Sequence, residues 1–390
     1  MAPDSSRAGT FVEQGDGYQA FVPAPLPPDP PVDVDAEMLA VLSDADLALG
    51  RLDGVIQTVP NPDLFVAMYV RREAVLSSQI EGTQSTLEDL LAVELEPEAA
   101  GVPADVEEVV NYVRAMNRGL ERLSSLPLSQ RLIREIHAEL MRSGRGSHRM
   151  PGEFRENQNW IGPEGTPIEK ATFVPPPVPD MRTALDDFER FLHDEELPVL
   201  IHVGLTHAQF ETIHPFMDGN GRVGRLLITF LLVHRGALQR PLLYLSHYLK
   251  RNRAEYYDRL SATRRRGDWE GWLRFFLQGV AETATEATAT AQAILDLSER
   301  DRELAHERGG LNGGRLLDLL FDRPLVNVNL VKDSLGVAYV TANNLVAQFE
   351  DAGILSEITG GKRRRVFRYD GYLALLSDEP RARALETRNE

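Results

Sequence analysis

The chain has 390 residues, 43% of them hydrophobic and 26% charged, the balance of a globular protein with material for two or three domains. It contains no cysteine, which excludes disulfides, thiolate metal sites and cysteine nucleophiles. A formal net charge of −17 excludes a chain-wide affinity for nucleic acid and confines any such contact to a local basic patch.

The N-terminus has neither the basic start nor the apolar core of a signal peptide. The longest largely apolar run, 226–233, is far shorter than the ~20 residues a bilayer demands. A cytoplasmic protein with no membrane partner is expected. Residues 1–36 are polar and then dense in proline (Pro23, Pro25, Pro27, Pro28, Pro30, Pro31), which predicts an extended strap that forms no core. Residues 37–125 read as a helical region. Leu64, Phe65, Met68, Tyr69 and residues 72–76 follow a helical period up to Gly82. Ser85 with Glu88 three residues on predicts a capping box opening a helix with Leu87, Leu90 and Leu91, and a further helix is expected over 106–123.

Residues 126–290 form the expected core, with helices over 131–141, 181–195, 199–212, 222–235, 253–264 and from Trp269 onward. Among them, 151–179 is rich in proline and glycine, and its β-type residues at 159–161 and 172–174 predict a short hairpin. A connecting helix is expected over 291–310. A different pattern then fills 311–377, ahead of a tail over 378–390. A helix over 316–320 precedes two more, 328–334 and 341–352, with Gly336 in their turn. Residues 353–355 and 366–368 then flank a basic wing, Lys362, Arg363, Arg364 and Arg365, which together read as a winged helix-turn-helix. The second of those helices carries no Lys or Arg. DNA binding would therefore rest on Asn343, Asn344 and the wing, and protein docking or dimerisation is the favoured reading.

The densest chemistry is the string HPFMDGNGRVGR over 214–225. A helix must end near Pro215, because proline disfavours helical geometry at the residue before it. Gly219 and Gly221 are free to take positive φ around Asn220. A second helix then begins near Arg222, and a glycine-rich turn into a helix start makes an anion-binding nest. Arg222 and Arg225, one turn apart, add forked donors for phosphate oxygens. Asp218 supplies one hard carboxylate suited to Mg²⁺ beside phosphates. His214 is the nearby group whose ordinary pKa suits proton abstraction. A zinc site on His202, His207 and His214 is disfavoured, since no HExxH or carboxylate–histidine pattern accompanies them.

This string resembles the signature of the Fic family at every signature position. The resemblance implies a mainly α fold: a Fic helical core with a small β-hairpin flap, an N-terminal helical region and the C-terminal winged helix. It implies transfer of AMP from ATP to Ser, Thr or Tyr hydroxyls of a protein, the enzyme itself included, with loss of pyrophosphate. His214 would be the base, Phe216 the anchor of the loop and Asp218 the Mg²⁺ ligand. Gly219, Asn220, Gly221, Arg222, Val223, Gly224 and Arg225 would form the nucleotide cradle. The segments around Gly152, Glu153, Phe154 and Arg155, and around Gln158 and Asn159, resemble the family's flap, with Thr172, Phe173 and Val174 as its edge. Asn252, Tyr256 and Tyr257 resemble adenosine-side contacts.

Upstream, SSQIEG over 77–82 leaves Glu81 in a last helical turn, where the helix dipole disfavours a negative charge. Ser77, Glu81 and Gly82 resemble the inhibitory motif of relatives whose brake lies N-terminal to the core. There the glutamate would pair with the second signature arginine, here Arg225. Two alternatives stay open: a Fic-type transferase with another donor, such as a different nucleotide or phosphocholine, and a nucleotide-gated DNA-binding regulator without turnover. A homodimer is compatible with the arrangement.

Overall fold

A computed structural model describes residues 7–15, 17–57, 62–96, 101–163, 165–361 and 364–377. In chain order the elements are β1 (Gly9–Glu13), β2 (Gln19–Pro23), α1 (Ala36–Gln57), α2 (Pro62–Ile80), α3 (Leu87–Leu95), α4 (Ala104–Leu123) and α5 (Gln130–Leu140). There follow α6 (Val178–Leu192), α7 (Val199–Ile213), α8 (Asn220–His234), α9 (Ser246–Arg251), α10 (Arg253–Arg266) and α11 (Trp269–Asp322). The chain then forms β3 (Leu325–Val326), α12 (Val328–Leu335), α13 (Tyr339–Asp351), β4 (Ser356–Glu357), β5 (Phe367–Arg368) and α14 (Asp370–Leu376). The fold is mainly α-helical. It divides into two units that interleave along the chain, and α1, α2 and α11 supply residues to both.

The first unit takes residues up to Asp53, Glu73–Ser85 and Pro103–Thr285. Its axis is α7, whose residues from Leu200 to Ile213 are all buried. It is buried on every side, its polar residues included, and α6, α8, α10 and β2 pack around it. Small residues allow the closest approaches. A methyl on Gly204 would sit 2.8 Å from Leu273, and one on Gly119 would strike the Phe230 ring. Trp272 donates its indole N–H to the Gly204 carbonyl at 2.8 Å.

The N-terminal segment corrects the strap expectation. β1 and β2 pair antiparallel from Gly9↔Pro23 to Glu13↔Gln19, and Ala20 and Phe21 are fully buried. The strand residues Ala20, Phe21 and Val22 lie ahead of the proline run and pair before it begins. The capping box also shifts by one residue. Thr86 caps α3, accepting from Asp89 N–H while the Asp89 carboxylate accepts from Thr86 N–H. At 159–174 the flap forms as one antiparallel bridge, Ile161↔Phe173.

The second unit takes Gly54–Arg72, Thr86–Val102 and the chain from Glu286 onward. α11 continues through 291–310 and 316–320, broken by the backbone of Gly310 (φ 54°, ψ −137°). Strand order β3–β5–β4 makes a small antiparallel sheet beside α12 and α13, with Gly336 left-handed in their turn. This is the winged-helix arrangement, extended by α14, which the sequence pattern did not announce. Tyr369 donates to buried Asp301 at 2.6 Å and secures the sheet to α11. In the wing, Arg365 forks onto Glu350 at 2.9 and 3.0 Å. Lys362 and Arg363, and the tail 378–390, lie outside the described residues.

Candidate active site

α7 ends where Pro215 forbids another turn, and His214 takes the left-handed conformation there (φ 49°, ψ 59°). A non-glycine residue in that region stores strain and persists because its surroundings dictate it. The surroundings are visible. Arg155 Nε donates to the His214 carbonyl at 3.1 Å, and Arg155 N–H donates to the Pro215 carbonyl at 2.9 Å. Asn159 and Asn220 both donate side-chain amides to the Phe216 carbonyl at 2.8 Å, while Asn220 Oδ1 accepts from Phe216 N–H.

Phe216 is fully buried and stacks on His137 with ring centroids 3.7 Å apart. His137 Nδ1 accepts from Gly152 N–H at 2.8 Å, so Nε2 carries the proton and donates to the Asp218 carbonyl at 3.1 Å. Burial lowers the His137 pKa to about 4, which keeps the ring neutral in that role. Arg155, Asn159 and His137 are thus the residues that build the loop.

Gly219 is left-handed (φ 77°) and opens α8. Gly221 departs from the expectation of positive φ. It lies inside the helix, and its need for a bare Cα is contact, because a methyl there would sit 2.2 Å from Glu81 Oε1. Gly224 is bare for a similar reason, with Glu211 Oε1 2.6 Å from where its methyl would be. Val223 is fully buried and fixes the first turn of the helix to the core.

This first turn lines a cleft of about 330 Å³ together with Glu81, Glu108, Arg145, His214, Met217 and Asp218. The leading N–H groups of a helix have no partner within it, so the turn offers donors to an anion. Asp218 stands half-exposed at the edge, its Oδ1 accepting from Gly219 N–H at 2.6 Å.

Both arginines are buried and both are held by carboxylates. Arg225 donates Nε to Ser77 Oγ at 2.8 Å, and Nη2 to the Ser77 carbonyl at 3.0 Å and to Glu81 Oε1 at 2.6 Å. Arg222 donates to Glu108 Oε2 at 3.0 Å. Burial pushes the Glu81 carboxyl up, but the charge and hydrogen bond of Arg225, with Arg222 behind, more than offset it, so Glu81 is held below its ordinary range. Gly82, at φ 100°, turns the chain away immediately after. Behind Ser77, buried Glu73 accepts from Ser246 and Tyr112, which anchors the end of α2.

The His214 imidazole lines the cleft with its Nδ1 buried toward the Glu211 backbone, an orientation that suits Nε2 to the cleft. Burial, then Arg264 and Arg155, lower its pKa to about 3, so the ring is neutral at physiological pH. Three residues earlier, the buried Glu211 carboxyl lacks a partner on Oε1, and burial raises its pKa to about 7. A carboxyl raised from 4.5 favours the folded state below 4.5 and loses that contribution as pH climbs toward 7, on the order of 3 kcal/mol in all. Glu211→Gln is therefore expected to raise Tm by several degrees at pH 8 and to leave it unchanged at pH 4, measured by thermal unfolding.

The remaining sequence-predicted residues spread out. Tyr256 is 1% exposed and donates to His207 at 2.8 Å, whose Nδ1–H meets the Gly224 carbonyl. It reaches the site through α8 and presents no face for a ligand. Tyr257 is 38% exposed under the Arg253 guanidinium. Asn252 joins α9 to α10 and donates to the Tyr248 carbonyl. In the flap, Thr172 N–H and Phe173 N–H donate to the Ile161 carbonyl, Arg264 stacks on Phe173 at 3.9 Å, and the Val174 carbonyl accepts from Phe21 N–H. The Glu108 and Arg145 contacts had no signal in the sequence.

Comparison with known proteins agrees with this geometry. Residues 39–121 match the Fic/DOC family N-terminal model and 127–232 the Fic/DOC family model. The chain is 30% identical over 217 residues to a protein of Drosophila erecta named protein adenylyltransferase Fic, covering 54% of this chain and 39% of that one. It is 27% identical over 260 residues to the protein of the same name from Drosophila sechellia, covering 65% and 46%. The chain thus spans less than half the length of these curated relatives. Among solved structures, a Fic family protein from Desulfovibrio desulfuricans G20 shares the fold with a TM-score of 0.58 at 20% identity, over 87% of this chain and 97% of that one. The signature loop, its helix and the two family matches converge: the chain carries the N-terminal and main domains of the Fic/DOC family over 39–121 and 127–232.

Proposed function

We propose that this protein transfers AMP from ATP to a hydroxyl of a protein, itself included, and that Glu81 restrains it. The observation that carries the reading is a neutral imidazole set beside a helix start that offers backbone donors and two buried arginines. In the reaction, the target hydroxyl oxygen attacks the α-phosphorus as the bond to the bridging oxygen breaks, and pyrophosphate leaves. His214 Nε2 takes the hydroxyl proton. The first turn of α8, with Arg222 and Arg225, holds the phosphates, so catalysis is positioning and charge neutralisation. The bridge at Ile161 and Phe173 would register the target main chain along 172–174.

Asp218 is the residue that would hold Mg²⁺. A single accessible carboxylate beside an anion nest fits this ion, which completes its shell with phosphate oxygens and water, and among the described residues no cluster of three metal-binding side chains competes. When bound, the ion would neutralise phosphate charge. A cytoplasmic setting, where ATP is supplied, belongs to the proposal; among the described residues no helix is long and apolar enough to cross a membrane.

The test is label position. Incubation with Mg²⁺ and ATP labelled at the α-phosphate is expected to leave label on protein, and ATP labelled at the γ-phosphate is expected to leave none. The reverse pattern contradicts AMP transfer, and competition by other nucleoside triphosphates checks the donor.

For the winged helix we propose docking of a protein partner. The open face of α13 carries exposed Tyr339 and Val340 and uncharged Asn343 and Asn344; of the two described wing arginines, Arg365 is engaged by Glu350 and Arg364 is exposed. A face without cations gains little from phosphates. In gel shifts with the full chain, no retention of duplex DNA is expected at 150 mM salt (about physiological). Retention that falls steeply with salt would favour the DNA reading.

A further inference from the structure

The cleft contains one cation that the reading above does not use. Arg145 lies in the loop after α5, with left-handed glycines on either side, Gly144 (φ 81°) and Gly146 (φ 85°). The loop is fastened to α4, where Asn111 donates to the Ser143 carbonyl and Oγ at 3.1 and 3.0 Å. Gly144 packs on the Glu108 side chain, 3.1 Å from where its methyl would be. Gly146 packs on Asp218, whose Oδ2 is 2.6 Å from the corresponding position. The backbone therefore bridges the carboxylate behind Arg222 and the carboxylate at the cleft edge, and it suspends Arg145 between them. The guanidinium donates to Glu108 Oε1 at 2.9 Å and meets Asp105 at 3.0 Å.

Glu108 thus carries two arginines, and they differ. Arg222 and Glu108 are each 5% exposed, a desolvated pair that breaks only at large cost. Arg145 is 57% exposed, so its pair with Asp105 is open to water and worth about 0–1 kcal/mol, and its departure from Glu108 leaves that carboxylate still paired with Arg222. A phosphate oxygen, with charge-assisted and forked hydrogen bonds, competes successfully for the second kind and not for the first. The placement also selects an end of the ligand. Arg145 feels Glu108, Asp105 and Asp218, whereas the charges felt by His214 are those of Arg264, Arg155 and Glu81. If His214 faces the α-phosphorus, Arg145 stands on the far side of the phosphate run.

We propose that Arg145 is a third phosphate-binding cation of this cleft, one that grips the β- and γ-phosphates of the donor and the pyrophosphate they become. The identity of the ligand rests on the AMP-transfer reading. Glu108 serves as the fixed anion that keeps Arg222 oriented while Arg145 leaves it for the ligand.

The test uses the full chain with Glu81→Gly, so that Arg225 is open, and calorimetric titration with Mg²⁺–pyrophosphate and, separately, with AMP. Adding Arg145→Ala is expected to weaken pyrophosphate about tenfold and to leave AMP within about twofold, with Arg145→Lys recovering part of the loss. Unchanged pyrophosphate affinity overturns the proposal, as does an equal loss for AMP, which would mark a structural role. If Arg145→Ala does not fold, Arg145→Lys carries the test, with a loss confined to pyrophosphate expected. Failure of the parent Glu81→Gly protein to bind either ligand would instead remove the AMP-transfer reading.

Discussion

Replacing Glu81 by glycine is expected to raise incorporation of AMP from ATP into the protein itself by about ten- to a hundredfold. The Glu81 carboxylate is an anion standing in an anion site. Its Oε1 is 2.6 Å from Arg225 Nη2 and so close to the Gly221 Cα that a methyl there would lie 2.2 Å away. A triphosphate needs the same arginine and the same helix turn, so the two compete, and the carboxylate has the advantage of being covalently attached. Glycine is the informative substitution. Residue 82 already supplies the left-handed turn, and Ser77 continues to hold Arg225 through its hydroxyl and carbonyl. The arginine is released from its charge partner without losing its position. The readout is transfer of α-labelled ATP with Mg²⁺, Glu81→Gly against the parent protein. Equal rates would show that the contact is structural.

His214→Ala in the Glu81→Gly background is expected to lower transfer by about a thousandfold while the melting temperature changes little. The left-handed turn at 214 is imposed by Arg155, Asn159 and Asn220 through backbone atoms, so removing the imidazole leaves the loop its supports. What disappears is the proton acceptor. Because burial and two arginines lower this pKa to about 3, the ring stays neutral well below the ordinary histidine value of 6.5. Accordingly kcat/KM, which reports the free enzyme, is expected to hold between pH 7 and pH 5. A fall centred near 6.5 would place an ordinary, solvated imidazole at the site.

The parts of this site that could be read from sequence are those whose neighbours in space are neighbours in the chain. From Ile213 to Arg225 the proline, the glycine turn and the helix start follow from local rules, and the structure brings His214, Asp218 and the first turn of α8 to one cleft. Gly221 shows the limit of such rules, because its backbone is helical and its small size answers to Glu81, far upstream. Glu108 pairs with a residue 114 positions away and Asn159 with one 57 away, and no periodicity records such contacts. Ser77 and Glu81 became visible through family resemblance alone, since in isolation they are an ordinary helix end. Of the two tyrosines on α10, neighbours in a helix point about 100° apart, so one is buried against His207 while the other is exposed beneath Arg253. Sequence placed them together and could not say which faced inward. In the N-terminal segment, the hairpin at 9–23 ends where the prolines begin, and the composition of the whole stretch masked five residues of strand on each side.

The most direct measurement is the intact mass of two full-length proteins after incubation with ATP and Mg²⁺, Glu81→Gly and Glu81→Gly/His214→Ala. The account predicts an added AMP on the first and none on the second. No adduct on the first, or the same adduct on both, would contradict it.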